Sequence, residues 1–362
     1  MRIPFRILTL SILLAGVSAL AAATTASAAI PPSNPNKVVK RAITFQVKNV
    51  DRSILPCRSD GAAYEVKGHL IGPAAQVGPG ASAGSRSVTL YLHDSSFGES
   101  FWSFTAVPGY DYAAAMARAG HSSVVVDRLG YGSSGHPEGD QVCLGADADV
   151  AHQMIGKLRS GDYVVDGGQS PPFDKVAIAG HYVGALIANL EAFSFNDVDG
   201  LVAMSYTPQV TQQAFEQFYN SRIVCDRGGE PSAEGGPGGY AYINQSATDF
   251  DQSAFFSALP DVRAAATRLR APDPCGEGAS IIDALVQDLK SLSLVKVSVL
   301  LVCGREDAVI LSFGCPLVKK RYVGSNDVSL VFVRNAGHAL TLERSAPAFR
   351  RRVATWLSRH GF

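Results

Sequence analysis

The stretch Lys175–Ala185 reads KVAIAGHYVGA, an apolar run of strand type that ends in Gly180-His181-Tyr182-Val183-Gly184 and continues as a helical pattern. Small residues on both sides of such a turn let the chain bend sharply enough to push the central side chain clear of a sheet, the arrangement that presents a nucleophile in the pattern G-x-S-x-G. Here the centre is Tyr182, a phenol where that pattern has a hydroxymethyl group. A phenol has an unperturbed pKa near ~10 and carries its oxygen well beyond the place of a serine oxygen, so ester hydrolysis through an acyl-tyrosine is disfavoured. Four other apolar runs end in residues that could do chemistry: His93-Asp94-Ser95-Ser96-Phe97-Gly98, Asp127-Arg128-Leu129-Gly130-Tyr131-Gly132-Ser133, Gly304-Arg305-Glu306-Asp307 and Asn335-Ala336-Gly337-His338. Taken singly, Asp307 is a turn or cap residue and His338 a histidine after a strand.

Eight short β-branched runs would position these residues: 41–49, 64–71, 87–93, 122–127, 175–180, 199–205, 295–303 and 327–334. From the third onward each gap is long enough for a helix, with helical patterns over 110–119, 146–158, 183–193 and 346–358. That alternation predicts crossovers and a mostly parallel sheet, with the directly joined first two runs as an antiparallel edge. The gap from Ser205 to Val295 is too long for a crossover and must carry structure of its own. It predicts a cap over 209–292, between core segments 29–208 and 293–362. The glycine-rich stretch Gly228–Gly239 is expected to be a mobile loop. The aromatics Phe215, Phe218, Tyr219, Tyr240, Tyr242, Phe250, Phe255 and Phe256 either build the cap's own small core or line a pocket.

Together the strand ends, their order and the insertion resemble the α/β-hydrolase family, in its capped, esterase- and lipase-like form, from about residue 40 to residue 360. The resemblance implies an α/β-hydrolase fold: an eight-stranded, mostly parallel sheet with helices on both faces and an inserted cap. The family order of elbow, acid and histidine falls on Tyr182, Asp307 and His338. It implies that Asp307 orients and charges the imidazole, that His338 is the general base, and that Ser95 and Val183 supply the backbone donors of an oxyanion hole. Two departures stand out: Tyr182 in the nucleophile position, and Asp94 where the family usually has glycine after the histidine. Asp94 either crowds the oxyanion hole or, the more ordinary fate of a turn aspartate, points outward and accepts hydrogen bonds from its loop. His181 is expected to pack below the turn, and His121 and His152 to be structural.

Three functions follow. The first is a hydrolase of esters or similar bonds in small, rather apolar substrates. The second is a non-hydrolytic enzyme, a lyase, isomerase or cyclase, with His338 and Asp307 as base and Tyr182 as acid. The third is a catalytically dead protein that binds a small ligand.

At the amino end Arg2 and Arg6, an apolar run from Ile7 to Ala23 and the A-x-A pattern of Ala26-Ser27-Ala28 read as a signal peptide over 1–28, which predicts export. The remaining 334 residues hold 30 basic and 32 acidic side chains, which gives no reason to expect nucleic acid or an anionic membrane as partner. No later segment is apolar and long enough to span a bilayer. All six cysteines, Cys57, Cys143, Cys225, Cys275, Cys303 and Cys315, lie in the exported part, and an even count there favours disulfides. Proximity suggests Cys303 with Cys315 and Cys225 with Cys275; the alternative for Cys303 is a buried free thiol. No C-x-x-C pair, ligand cluster or phosphate-binding glycine turn is visible, so neither a metal nor an organic cofactor is expected.

Overall fold

The computed structural model describes Met1, residues 37–81 and residues 86–362. The expected signal peptide over 1–28 therefore lies, apart from Met1, outside the described residues. The described residues from Lys37 to Phe362 form one compact unit.

In chain order the elements are β1 (Val38–Lys48), β2 (Ala63–Pro73), α1 (Ala74–Val77), β3 (Ser87–Leu92), α2 (Tyr112–Arg118), β4 (Ser123–Val126), α3 (Leu144–Ser160), β5 (Val164–Val165), β6 (Lys175–His181), α4 (Val183–Phe195) and β7 (Gly200–Met204). Then come α5 (Gln212–Asp226), β8 (Tyr240–Ala241), α6 (Ala247–Ala254), α7 (Pro260–Arg268), β9 (Asp273–Pro274), α8 (Cys275–Ser291), β10 (Ser298–Gly304), α9 (Gly314–Lys319), β11 (Val328–Val333) and α10 (Ala346–Arg359). All eight expected strands form. The two-residue β5 adds a ninth by pairing with β1, an edge too short to show in the sequence.

The sheet order is β11-β10-β7-β6-β3-β4-β2-β1-β5. From β11 to β4 every pairing is parallel, while β1 and β2 pair antiparallel over eleven residues, from Val38 opposite Pro73 to Lys48 opposite Ala63. Central strands in such a sheet are covered on both faces, which is why β6 reads as a continuous apolar run and is buried at every residue after Lys175. One face packs under α3, α4 and α8 through residues such as Leu90, Ile178, Leu186 and Ile281. The other packs under α2 and α10 through Tyr91, Met116, Val202 and Trp356. Asp111 caps α2 by accepting from Ala114 N, and Gly161, at φ 78°, ends α3 in the left-handed conformation.

Between β7 and β10 the long gap carries four helices and the β8–β9 ribbon. The glycine-rich stretch is closed at its base by paired bonds between Glu230 and Tyr240 and by Gly139 N donating to Gly238 O. The aromatics divide. Tyr240 and Phe255 are buried in packing, Phe215, Phe218 and Phe250 line a cavity, and Tyr219 and Phe256 are exposed. Three disulfides form: Cys225–Cys275 and Cys303–Cys315, the two suggested by proximity, and Cys57–Cys143 across 86 residues. Cys303 is therefore not a free thiol.

Candidate functional site

Tyr182 sits between β6 and α4 at φ 39° and ψ −96°, a conformation that L-residues rarely adopt. The glycines on either side make it possible. A Cβ on Gly180 would lie 2.0 Å from Gly184 O, and one on Gly184 would lie 2.4 Å from Leu92 O. The turn is locked by Tyr182 N donating to Met204 O at 2.9 Å and Leu186 N donating to Tyr182 O at 2.9 Å. The half-buried Tyr182 ring meets the His338 imidazole edge-on with centroids 5.3 Å apart, and its hydroxyl makes no hydrogen bond with any described residue. Burial, then the nearby Asp94 and Asp307 carboxylates, push the phenol further above its ordinary value. Tyr182 is thus a neutral side chain beside the imidazole and outside its hydrogen-bonding directions.

Asp307 and His338 meet, as the resemblance implied. His338 Nδ1 lies 2.9 and 3.0 Å from the two Asp307 carboxylate oxygens. Asp307 is pinned in turn by Val309 N at 2.9 Å and Ile310 N at 3.0 Å. The His338 loop is held by Glu343, which sequence reasoning missed: its buried carboxylate accepts from Gly337 N at 3.0 Å and from Phe256 N and Ser257 N, each at 2.7 Å.

Asp94 departs from the outward orientation that turn aspartates usually take. Its carboxylate points into the site, with Oδ2 3.1 Å from His338 Nε2 and Oδ1 accepting from Val183 N at 3.1 Å. Both ring nitrogens of His338 therefore donate to carboxylates. Burial opposes the charge, but Asp307 first and Asp94 second outweigh it and push the imidazole up to about 10. Burial likewise opposes the charge on Asp94, yet its hydrogen bonds with the His338 imidazole and the Val183 amide hold its carboxyl below the ordinary value. The expected general base is consequently an imidazolium locked between two anions. Of the two expected oxyanion donors, Val183 N is engaged by Asp94, while Ser95 lines the cavity.

His181 packs below the turn as expected, stacked on Phe101 with centroids 4.5 Å apart and with Nε2 donating to His338 O at 2.8 Å. Burial, and secondarily the positive charge of His338, depress it to about 4. Its Nδ1 is buried without a hydrogen-bond partner and faces Asp94 Oδ2 at 3.8 Å. Asp94, His181 and His338 thereby form a group of metal-capable donors that lie far apart in sequence, which is why no ligand cluster could be read there. His121 and His152 are engaged elsewhere, with the Phe362 carbonyl and with Asp197.

Above these residues lies a cavity of about 230 Å³, floored by Asp94, Tyr182 and His338 and walled by Phe218, Phe250, Ile281 and Leu285. Its walls are mainly apolar and its charged groups converge at one end, the usual make-up of a small-molecule site. It opens beyond the carboxyl ends of β3, β6, β10 and β11, where ligands bind in open α/β sheets.

Among solved structures, the fold is similar to a thermophilic esterase from Thermogutta terrifontis, with a TM-score of 0.58 at 14% identity over 88% of this chain and 100% of that one. It is also similar to a hydrolase from Pseudomonas aeruginosa, at 0.57 and 17% identity over 86% and 99%. A monoacylglycerol lipase from Paleococcus ferrophilus gives 0.55 and 17% over 77% and 97%. No curated protein matches the chain. Residues 90–351 match the family described as the alpha/beta hydrolase family, and the chain belongs to it.

Proposed function

We propose that this chain is a capped member of its family in which serine-type acyl transfer has been lost, and whose cavity holds a small, largely apolar ligand under a cap formed by 209–292. Tyr182 stands in the nucleophile position. The observation that carries the reading is the Asp94 carboxylate, which bridges His338 Nε2 and Val183 N. In serine-type chemistry those two groups serve the attacking hydroxyl and the developing oxyanion. One anion engages both here, so an acyl-enzyme on Tyr182 has neither a base nor a free oxyanion donor at Val183. The base role of His338 in a lyase or isomerase meets the same obstacle. The reading also takes the chain as exported, which the three disulfides support because such bonds persist in oxidising compartments.

Hydrolysis of a short-chain aryl ester, measured in the presence of a chelator, tests this. The unmodified chain, Tyr182→Ser and Asp94→Gly should each lack His338-dependent turnover. The double variant Tyr182→Ser/Asp94→Gly should gain it and lose it again with His338→Ala. Strong His338-dependent turnover by the unmodified chain, or by Tyr182→Ser with Asp94 in place, would overturn the reading. A Leu285→Trp change, which fills the cavity, should abolish binding of an apolar fluorescent probe.

A further inference from the structure

We propose that Asp94, His181 and His338 form a binding site for a divalent cation, with zinc as the best-suited occupant and an open coordination position facing the cavity. The proposal rests on the inward orientation of Asp94 and is independent of what ligand the cavity takes.

The three donor atoms lie within 4.8 Å of one another, with His338 Nε2 3.1 Å and His181 Nδ1 3.8 Å from Asp94 Oδ2. A tetrahedral cation with bonds of about 2.0–2.1 Å needs donors about 3.3 Å apart, a value that the two separations from Asp94 Oδ2 bracket. His181 supplies an independent sign. Its Nε2 faces the carbonyl of His338, which can only accept, so Nε2 carries the proton and Nδ1 presents a lone pair. That lone pair is fully buried, unpartnered and aimed at a carboxylate oxygen. Two facing acceptors repel, and a cation between them turns the repulsion into two bonds.

The outer partners fit as well. Histidines that ligate metals almost always donate their second nitrogen to a carboxylate or a carbonyl, which fixes the tautomer. His338 Nδ1 meets Asp307 and His181 Nε2 meets His338 O. Charge points the same way. The buried cluster holds two carboxylates beside two imidazoles, and a divalent ion balances the two carboxylate charges with both imidazoles neutral. On binding, the cation takes the place of the proton on His338 Nε2, and that proton passes to solvent.

Asp94 and His338 line the cavity floor, so a water or a ligand carbonyl can complete the shell. A divalent ion held there would lower the pKa of a water in the open position towards neutrality; attack of that hydroxide on an ester carbonyl would break the acyl carbon–oxygen bond, the alkoxide leaving as the alcohol with a proton from solvent and the acyl group leaving as the carboxylate.

The test is titration of tag-free, chelator-treated protein with Co²⁺, read by the visible absorption of four-coordinate cobalt, and with Zn²⁺ by calorimetry. One ion per chain is expected, with proton release and the cobalt bands of a nitrogen and oxygen donor set. His181→Phe, which keeps the stack on Phe101, and Asp94→Gly should each abolish the bands, and Asp307→Asn should weaken binding by ~10–100-fold. The separate group of His152, Glu191 and Asp197 serves as control, so His152→Ala should change nothing. If His181→Phe does not fold, Asp94→Gly decides. Absence of binding at millimolar metal, or binding that survives Asp94→Gly, or binding lost in His152→Ala, overturns the proposal. The chelated ester assay above is unaffected by either outcome.

Discussion

Two buried ionic clusters share the loop after β3, and they are built to opposite effect. Around Arg128 every donor of the guanidinium is used: both ends meet Glu277, at 2.8 and 3.0 Å, Nη1 also reaches Asp147 at 3.4 Å, Nη2 reaches the Tyr131 hydroxyl at 3.1 Å, and Nε donates to His93 O at 3.0 Å. Asp273 closes the cluster, accepting from Ser96 N, Ile243 N and Tyr131. It ties the loops after β3 and β4 to α8 and has no orphan donor or acceptor among its side chains. Around His338, by contrast, the His181 Nδ1 is orphaned, and the group opens on a cavity. The first cluster, a clamp, is closed on itself, whereas the second leaves a ring nitrogen unpaired beside the floor of a cavity. The clamp also positions the site, because Arg128 holds His93 at both its carbonyl and its Nε2, and His93 Nδ1 donates to the carbonyl of Asp94.

The largest effect should come from breaking the clamp. Arg128→Met leaves Glu277 and Asp147 buried without their cation, and removing one partner of a buried pair costs about 3–5 kcal/mol. Urea unfolding should show this loss; a drop below ~1 kcal/mol would mean that the clamp is no more than a surface contact.

The pH dependence separates the two clusters by window. Burial raises Asp273 from 3.8 to about 7, so the folded state keeps a proton that the unfolded chain gives up. Its contribution to stability is complete below about 4 and is lost as pH rises through about 7. His338 is raised from 6.5 to about 10, so its contribution is complete below about 6.5 and is lost as pH rises through about 10. Unfolding of chelated protein should therefore weaken in two steps with rising pH. Asp288 is raised from 3.8 to about 7 as well, so Asp273→Asn should shrink the lower step without removing it, whereas His338→Gln should remove the upper; a lower step unchanged in Asp273→Asn, or an upper step unchanged in His338→Gln, would contradict the assignment.

The smallest effect belongs to the orphan itself. His181→Phe keeps the ring stack and loses one hydrogen bond to His338 O, which still accepts from Ser205 Oγ at 3.2 Å. Stability should change by about 1 kcal/mol. A loss as large as that of Arg128→Met would make His181 part of the clamp.

The eight main strands, the antiparallel pairing of β1 with β2 and the sharp turn at Tyr182 were legible in the sequence, while the pairing of Asp307 with His338 came from the family resemblance. The strands and the turn depend on residues close along the chain: apolar runs, and glycines where a Cβ would collide. The two shorter-range disulfides were legible for the same reason. What only the tertiary structure decided is the direction of Asp94. A turn aspartate on its own would face its loop or solvent, but Asp94 is drawn inward by His338, 244 residues away, and by Val183 N, 89 residues away. Arg128 and Glu277 are 149 residues apart, and nothing local in either pairs them. Backbone conformation answers to near neighbours, whereas the partner of a buried charge is whatever opposite charge the fold brings within reach.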